Sequence, residues 1–306
     1  MIAAKLCCGL DGRFGLKVLV IGASGLIGTH VTRALGMAGH QVLGLCRSDV
    51  AAQKVARLEA EVVIGDLARP KEWATKVHDV EAVVHVAAAW GPDMGAVDRA
   101  MIEALVDEAR CGQAKPRFLY TGGVWLYGAG QTRHEGAPFA PIAPFAWMVE
   151  NAEYLRTSEA FDLAVVHPGL VYTSDMQGSF AGFAAAGKAG QKPEILESEA
   201  IRWPLIHVQD LAEIYADLVT RHGVNGDFNA VTEAGIPVGQ ICDAVTRAMG
   251  HQRKPEVLSR AAALAAYGDM ALGPMLDQVV RGARLAELGL VPRHVDFRAS
   301  LMRGDE

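Results

Sequence analysis

The sequence predicts an α/β protein: a doubly wound parallel sheet carrying a small C-terminal α/β cap. Three observations predict it. Through the first half, short all-apolar runs alternate with longer stretches of helical period. A glycine-rich turn stands between the first apolar run and the first helical stretch. After about residue 173 the alternation loosens into small-residue loops and amphipathic helices.

Each element follows from its local pattern. KVLVIG (17–22) is apolar throughout, as a strand buried on both faces requires. A helix fits 25–39 and ends near Gly39. QVLGLC (41–46) is a second strand, a helix fits 49–59, and EVVIGD (61–66) is a third strand. AVVHVAAA (82–89) is a fourth strand, followed by a helix over 96–111. RFLYTG (117–122) is a fifth, followed by a helix over 144–158, and LAVVHPGLVY (163–172) reads as one sixth strand. Right-handed crossovers bring the carboxyl ends of such strands to one edge, where ligands bind. Beyond 173, QDLAEIYADLVTRHG is an amphipathic helix and FNAV a short strand. PVGQICDAVTRAMG is a last helix with Pro237 at its start and Gly250 at its end. The expected organisation is a flexible leader over 1–15, a dinucleotide-binding core over 16–172 and a mostly helical substrate cap over 173–306. Core and cap interleave as one structural unit.

Composition narrows the function. The 306 residues are 51% hydrophobic, ample for a large core. With 29 basic and 35 acidic residues and no Lys/Arg block, nucleic acid is not an expected partner. The five cysteines form no CxxC and no Cys/His spacing, so neither a metal nor a disulfide framework is expected. The leader lacks the apolar core of a secretory signal, and no 18-residue apolar run suggests a membrane span. The expected setting is a reduced cytoplasm.

The strongest motif is VIGASGLIGTH, in which Gly22, Gly25 and Gly28 lie between strand and helix. Glycines allow the tight turn and let backbone N–H groups approach a pyrophosphate at the positive end of the helix. Arg47 follows the second strand, 19 residues after Gly28. An Arg fork there suits a 2′-phosphate, favouring NADP(H) over NAD(H). Asp49 keeps a ribose contact, and hence NAD, open.

In this ordered set of motifs the chain resembles the extended or atypical short-chain dehydrogenase/reductase superfamily, on its NAD-dependent epimerase/dehydratase side, over about residues 16–300. The resemblance implies a Rossmann-type sheet and a cofactor site. GASGLIG would place Gly22, Ser24, Gly25, Leu26, Ile27 and Gly28 on the cofactor. GDL would place Asp66 and Leu67 on the adenine, and HVAAA would place Ala87 and Ala88 against the cofactor. Thr121 would join them from the TGGVWLYG segment. HPGLVY would set Pro168, Gly169 and Leu170 beside the nicotinamide.

The family usually works with a Ser or Thr, a Tyr and a Lys. Counting back from Gly128 puts Gly123 at the hydroxyl position, and counting back from His167-Pro168 puts Phe145 at the Tyr and Val149 at the Lys. No Tyr-x-x-x-Lys occurs anywhere from 120 to 180. Tyr127 and Thr121 are the substitute candidates for proton or hydrogen-bond donation. Trp90, Gly123, Trp125, Tyr127, Trp147, Arg202 and Trp203 are candidates for the substrate pocket. For the tryptophans, ordinary core packing is an equal reading. Asp93, Arg202 and His207 are its plausible charged lining, whereas His85 and His167 read as satisfied core histidines. The expectation is an NADP-binding, epimerase/dehydratase-like oxidoreductase or isomerase with an atypical active site, acting on a small, partly aromatic or apolar substrate. The alternatives are a non-catalytic NADP sensor and a sugar-nucleotide epimerase/dehydratase. The expected partner is a small molecule, with no membrane and with a homodimer implied by resemblance only.

Overall fold

The computed structural model describes residues 15–89, 91–112, 114–250 and 253–303. Residues 1–14 of the expected leader, and Trp90, lie outside the described residues. The first half runs β1 (Lys17–Ile21), α1 (Leu26–Met37), β2 (Gln41–Cys46), α2 (Asp49–Ala56), β3 (Glu61–Ile64), β4 (Ala82–His85), α3 (Met94–Cys111), β5 (Arg117–Thr121), β6 (Gly130–Arg133) and α4 (Ala146–Ser158). The second half runs β7 (Asp162–Pro168), β8 (Leu170–Tyr172), α5 (Ala181–Lys188), β9 (Glu194–Leu196), β10 (Arg202–His207), α6 (Val208–Leu218), β11 (Gly226–Ala230), β12 (Glu233–Pro237), α7 (Val238–Ala248), β13 (Glu256–Leu258), α8 (Arg260–Tyr267), β14 (Gln278–Val280), α9 (Arg284–Glu287) and α10 (Phe297–Arg303).

The main sheet has seven strands in the order β11-β7-β5-β4-β1-β2-β3, parallel throughout. Order reverses between β1 and β4, the switch point at which such sheets bind ligands. One face packs on α1 and α6 through Val31, Leu35, Leu211, Tyr215 and Leu218. The other packs on α3 and α4 through Met101, Leu105 and Leu155, with Trp73 and Val77 from two short 3-10 segments. A third cluster, around Tyr172, Phe180, Trp203, Ile241 and Phe297, fills the space between the cap strands β8-β10-β12 and helices α5, α7 and α10.

Two expectations are corrected. The run 163–172 is two strands, not one. β7 stays in the main sheet and β8 leaves it to pair with β10. The break falls at Gly169, where a Cβ would stand 2.8 Å from the Pro204 carbonyl oxygen. The FNAV strand and the helix before it are not parts of the cap either. α6 lies on α1, and β11 completes the main sheet beside β7. Buried Arg117 fixes this return. It donates to the Leu218 carbonyl (3.2 Å), the Asn225 side chain (2.8 Å) and the Val224 carbonyl (2.7 Å). A buried charge is tolerated only when so fully bonded.

Candidate functional site

A cleft of about 870 Å³ runs along the carboxyl ends of the strands. That volume falls within the ~300–1,000 Å³ range of small-molecule sites. At one end the chain leaves β1 at Gly22, whose φ is +95° and whose added Cβ would lie 2.8 Å from the Ala87 backbone. Gly25 donates to the Gly22 carbonyl at 3.0 Å and caps α1 without a side-chain acceptor. The first amides of α1 therefore keep their N–H groups for an anion. At Gly28 a Cβ would sit 1.9 Å from the Gly22 oxygen, so only glycine lets helix and turn approach this closely. Arg47 lines the cleft just past β2. Ser48 caps α2, and Lys54 of that helix donates to the Ser24 carbonyl at 2.9 Å. Lys54 was missed from sequence. Its position on α2 after Arg47 was the available signal.

Every residue expected at the cofactor lines this one cleft except Gly28, which acts through packing beneath it. The stretch from Gly22 to Ile27, less Ala23, forms its glycine-rich end. Asp66 and Leu67 lie with Arg47, and Ala87 and Ala88 join Thr121, Pro168, Gly169 and Leu170 along the wall. Gly178 and Ser179 also line it. Their small-residue loop carries no signal in sequence that separates it from a linker.

The other end is apolar. Gly122, Gly123, Val124, Trp125, Leu126, Phe145 and Met148 form its wall. The rings of Trp125 and Phe145 lie 5.2 Å apart, tilted by 45°. Phe145 thus lines the cleft from the position counted for the Tyr, whereas Val149 is not among the lining residues and Met148 takes its place. Arg47 is the only Lys or Arg among the described lining residues.

Several expected pocket residues lie elsewhere. Tyr127 is fully buried, outside the cleft lining, and donates to Asn229 Oδ1 at 2.9 Å. A single 3-10 turn over Val124–Tyr127 carries it past the cleft into the cap core. Burial, reinforced by Asp227, raises its pKa, so it is no ready proton donor. Trp147 bonds the Pro144 carbonyl and packs on Gly95. Trp203 bonds the Pro274 carbonyl and stacks on Phe183. Trp203 packs in the cap core, and Trp147, half-buried, lies outside the cleft lining. Arg202 forms a two-point pair with Asp277 at 2.7 and 2.6 Å, away from the cleft. Neither Asp93 nor His207 lines the cleft. His207 is fully buried, stacked on His294 with centroids 3.8 Å apart.

Thr121 does line the cleft, but its hydroxyl is engaged. It donates to the His85 carbonyl at 2.5 Å and lies 2.5 Å from the Tyr215 hydroxyl, which must then donate to it. Beneath this end, Asp98 gathers bonds from His85 (2.6 Å), Tyr120 (2.8 Å) and Asn151 (2.8 Å). Of the two strand histidines, His167 has both ring nitrogens bonded. In His85 the Nδ1 has no partner.

A family model described as NAD dependent epimerase/dehydratase family matches residues 18–230. An uncharacterized protein of Saccharomyces cerevisiae is 26% identical over 239 residues, spanning 75% of this chain and 79% of its own length. The UDP-glucose 4-epimerase of Thermus thermophilus, solved with NAD, matches with a TM-score of 0.77 at 21% identity, over 95% of this chain and 100% of that one. A human epimerase family protein solved with NADPH matches with a TM-score of 0.76 at 20% identity, over 93% and 97%. At these identities the two structures bear on the fold alone. No helix among the described residues is long and apolar enough to cross a membrane.

Proposed function

The chain belongs to the NAD dependent epimerase/dehydratase family, and on that premise we propose that it binds NADP(H) and acts as an atypical oxidoreductase or isomerase on a small, partly aromatic or apolar substrate. One observation carries the reading. A single cleft joins a glycine-rich turn to an apolar wall that includes Gly123 and Phe145, the positions that counting along the sequence assigns to the hydroxyl and the phenol. The residues fit the cofactor, because Gly22 and Gly28 keep open the turn that a Cβ would fill. A bound nicotinamide would supply hydride exchange.

The chain's own residues do the rest. The amides at the start of α1 take the pyrophosphate, and Arg47 takes the 2′-phosphate, with the Lys54 ammonium nearby on the Ser24 carbonyl. Solved proteins of this fold carry NAD in one case and NADPH in another. The fold therefore does not choose between them, and the residues after β2 do. Trp125, Phe145 and Met148 exclude water and hold an apolar ligand face. Among the described lining residues no Lys or Arg stands at that end to pair with the diphosphate of a sugar nucleotide, which weighs against that reading. The engaged Thr121 hydroxyl and the inward Tyr127 equally favour the second reading, a cofactor-binding sensor without turnover.

Fluorescence titration with NADPH and NADH, followed by a panel of carbonyl and alcohol substrates, tests these readings. NADPH binding at least tenfold tighter than NADH is expected. Binding of neither would remove the cofactor assignment, and preference for NADH would remove the role of Arg47. Tight binding with no turnover on any substrate would leave the sensor.

A further inference from the structure

The pair of glycines after β5 marks a hydrogen-bonding group that no side chain reveals. In a parallel ladder, a residue that donates to one carbonyl accepts from the N–H two residues further along the neighbouring strand. Gly122 donates to the Val166 carbonyl at 2.8 Å. The group that would donate back belongs to residue 168, and Pro168 has no N–H. The Gly122 carbonyl is therefore released from the sheet at the point where the wall of the cleft begins.

Its direction is set from behind. The Gly123 N–H donates to His167 Nδ1 at 3.3 Å, and His167 Nε2 lies 2.9 Å from Asp227 Oδ1. Because Nδ1 accepts, Nε2 carries the proton and donates to the carboxylate. The peptide is planar and trans, so an N–H turned toward buried His167 turns the Gly122 carbonyl the opposite way, to the cleft side that both glycines line. Gly122 has to be glycine for this arrangement, since a Cβ would lie 2.5 Å from His167 Nδ1.

We propose that the Gly122 carbonyl, aimed by the His167–Asp227 pair, is the polar anchor of the apolar end of the cleft, and that it selects flat apolar ligands bearing an O–H or N–H donor. This rests on the reading of the cleft as a small-molecule site. It inverts the polarity at that position: a hydroxyl would donate to a substrate oxygen, whereas a carbonyl accepts from the ligand. A ligand presenting only a carbonyl oxygen meets like against like and is disfavoured. The ligand's alcohol or amine form is the one this wall accepts. His167 is the positioning residue. The charged groups around it are Asp227 from β11, which Arg156 of α4 and Arg284 of α9 also face, and Glu135 near the Tyr127 ring.

The test uses 2-naphthol and 2-methoxynaphthalene as probes, measured by isothermal titration on the full chain with and without saturating NADPH. Naphthol is expected to bind at least tenfold tighter, the worth of one hydrogen bond of about 1.5 kcal/mol. The preference should vanish in His167→Leu. It should persist in His167→Gln, whose amide can accept from Gly123 and donate to Asp227. Loss of the preference in a folded His167→Gln would contradict the aiming role, a second readout should the Leu variant fail to fold. Equal binding of the two probes, binding of neither, or a preference that survives His167→Leu would overturn the proposal. NADPH binding is read separately. A lost cofactor signal with an intact naphthol preference would remove the cofactor reading and leave the carbonyl anchor standing.

Discussion

The two ends of the cleft are specified by different means. At the phosphate end, backbone approach decides the residues: Gly22 is held at φ +95° against Ala87, and Gly28 lies where a Cβ would be 1.9 Å from an oxygen. At the apolar end, side chains decide, and Gly123 has nothing within 4 Å of its Cβ position. Binding geometry written into the backbone tolerates no substitution. Chemistry carried by side chains can be exchanged while the fold stays intact, and the open space at the Gly123 Cβ position leaves room for such an exchange.

Breaking the first end should give the largest effect. Gly28→Ala is expected to lower NADPH affinity by at least 100-fold and to cost about 1–3 kcal/mol of stability through overpacking, read by fluorescence titration and thermal melting. Arg47→Ala comes next. Loss of a charge-assisted contact of about 1.5–3 kcal/mol predicts a roughly 10–100-fold weaker NADPH complex, with the NADH affinity little changed. An equal loss for both cofactors would contradict the 2′-phosphate assignment.

The two adjacent glycines then separate the rules within one loop. Gly122→Ala should destabilise by about 1–3 kcal/mol, because its Cβ meets His167, whereas Gly123→Ala should stay within about 0.5 kcal/mol. Urea denaturation distinguishes them. Tyr127→Phe should cost about 1 kcal/mol by unpairing Asn229 and leave NADPH binding unchanged. A loss of turnover there without loss of stability would return Tyr127 to the active site.

The smallest effect concerns pH and lies outside the cleft, where β12 and α6 hold the C-terminal segment. Burial raises Glu233 to about 7. The folded state thus binds the extra proton, and this contribution to stability is lost as pH rises from about 4.5 through 7. Burial, with His294 adding to it, lowers His207 to about 4. Its contribution is present above about 6.5 and is lost as pH falls through 4. The two slopes oppose. Glu233→Gln should therefore make the melting temperature climb more steeply between pH 4 and 6.5 than in the parent. An unchanged profile would show that Glu233 does not titrate in this range.

Sequence made much of this visible, though unevenly. Strands such as KVLVIG are buried on both faces and so are apolar at every position. The GxxGxxG turn is legible because its residue types are forced by distance, and counting along the sequence singled out Phe145, which lines the cleft. The split at Gly169 was not legible, since it goes with the pairing of β8 on β10, whose Pro204 carbonyl stands where a Cβ at 169 would be. The destination of β11 was equally hidden, because parallel pairing is non-local and the run is only five residues long. Tyr127 misled because one 3-10 turn decides whether a side chain faces cleft or core. His167 was correctly read as satisfied. What satisfies it, a backbone N–H from a glycine loop and Asp227 from β11, could be seen only in three dimensions.

The position of β11 has a consequence for biosynthesis. The ribosome delivers β7 well before its outer neighbour, and at ~5–20 residues per second the interval to Ala230 is roughly 3–12 s. Throughout that interval β7 is an open parallel edge, Arg117 lacks its partners on Leu218, Val224 and Asn225, and Asp227 has not yet reached His167. A nascent chain halted before residue 225 should accordingly be a client for chaperones and proteases, and one released after Ala230 should not.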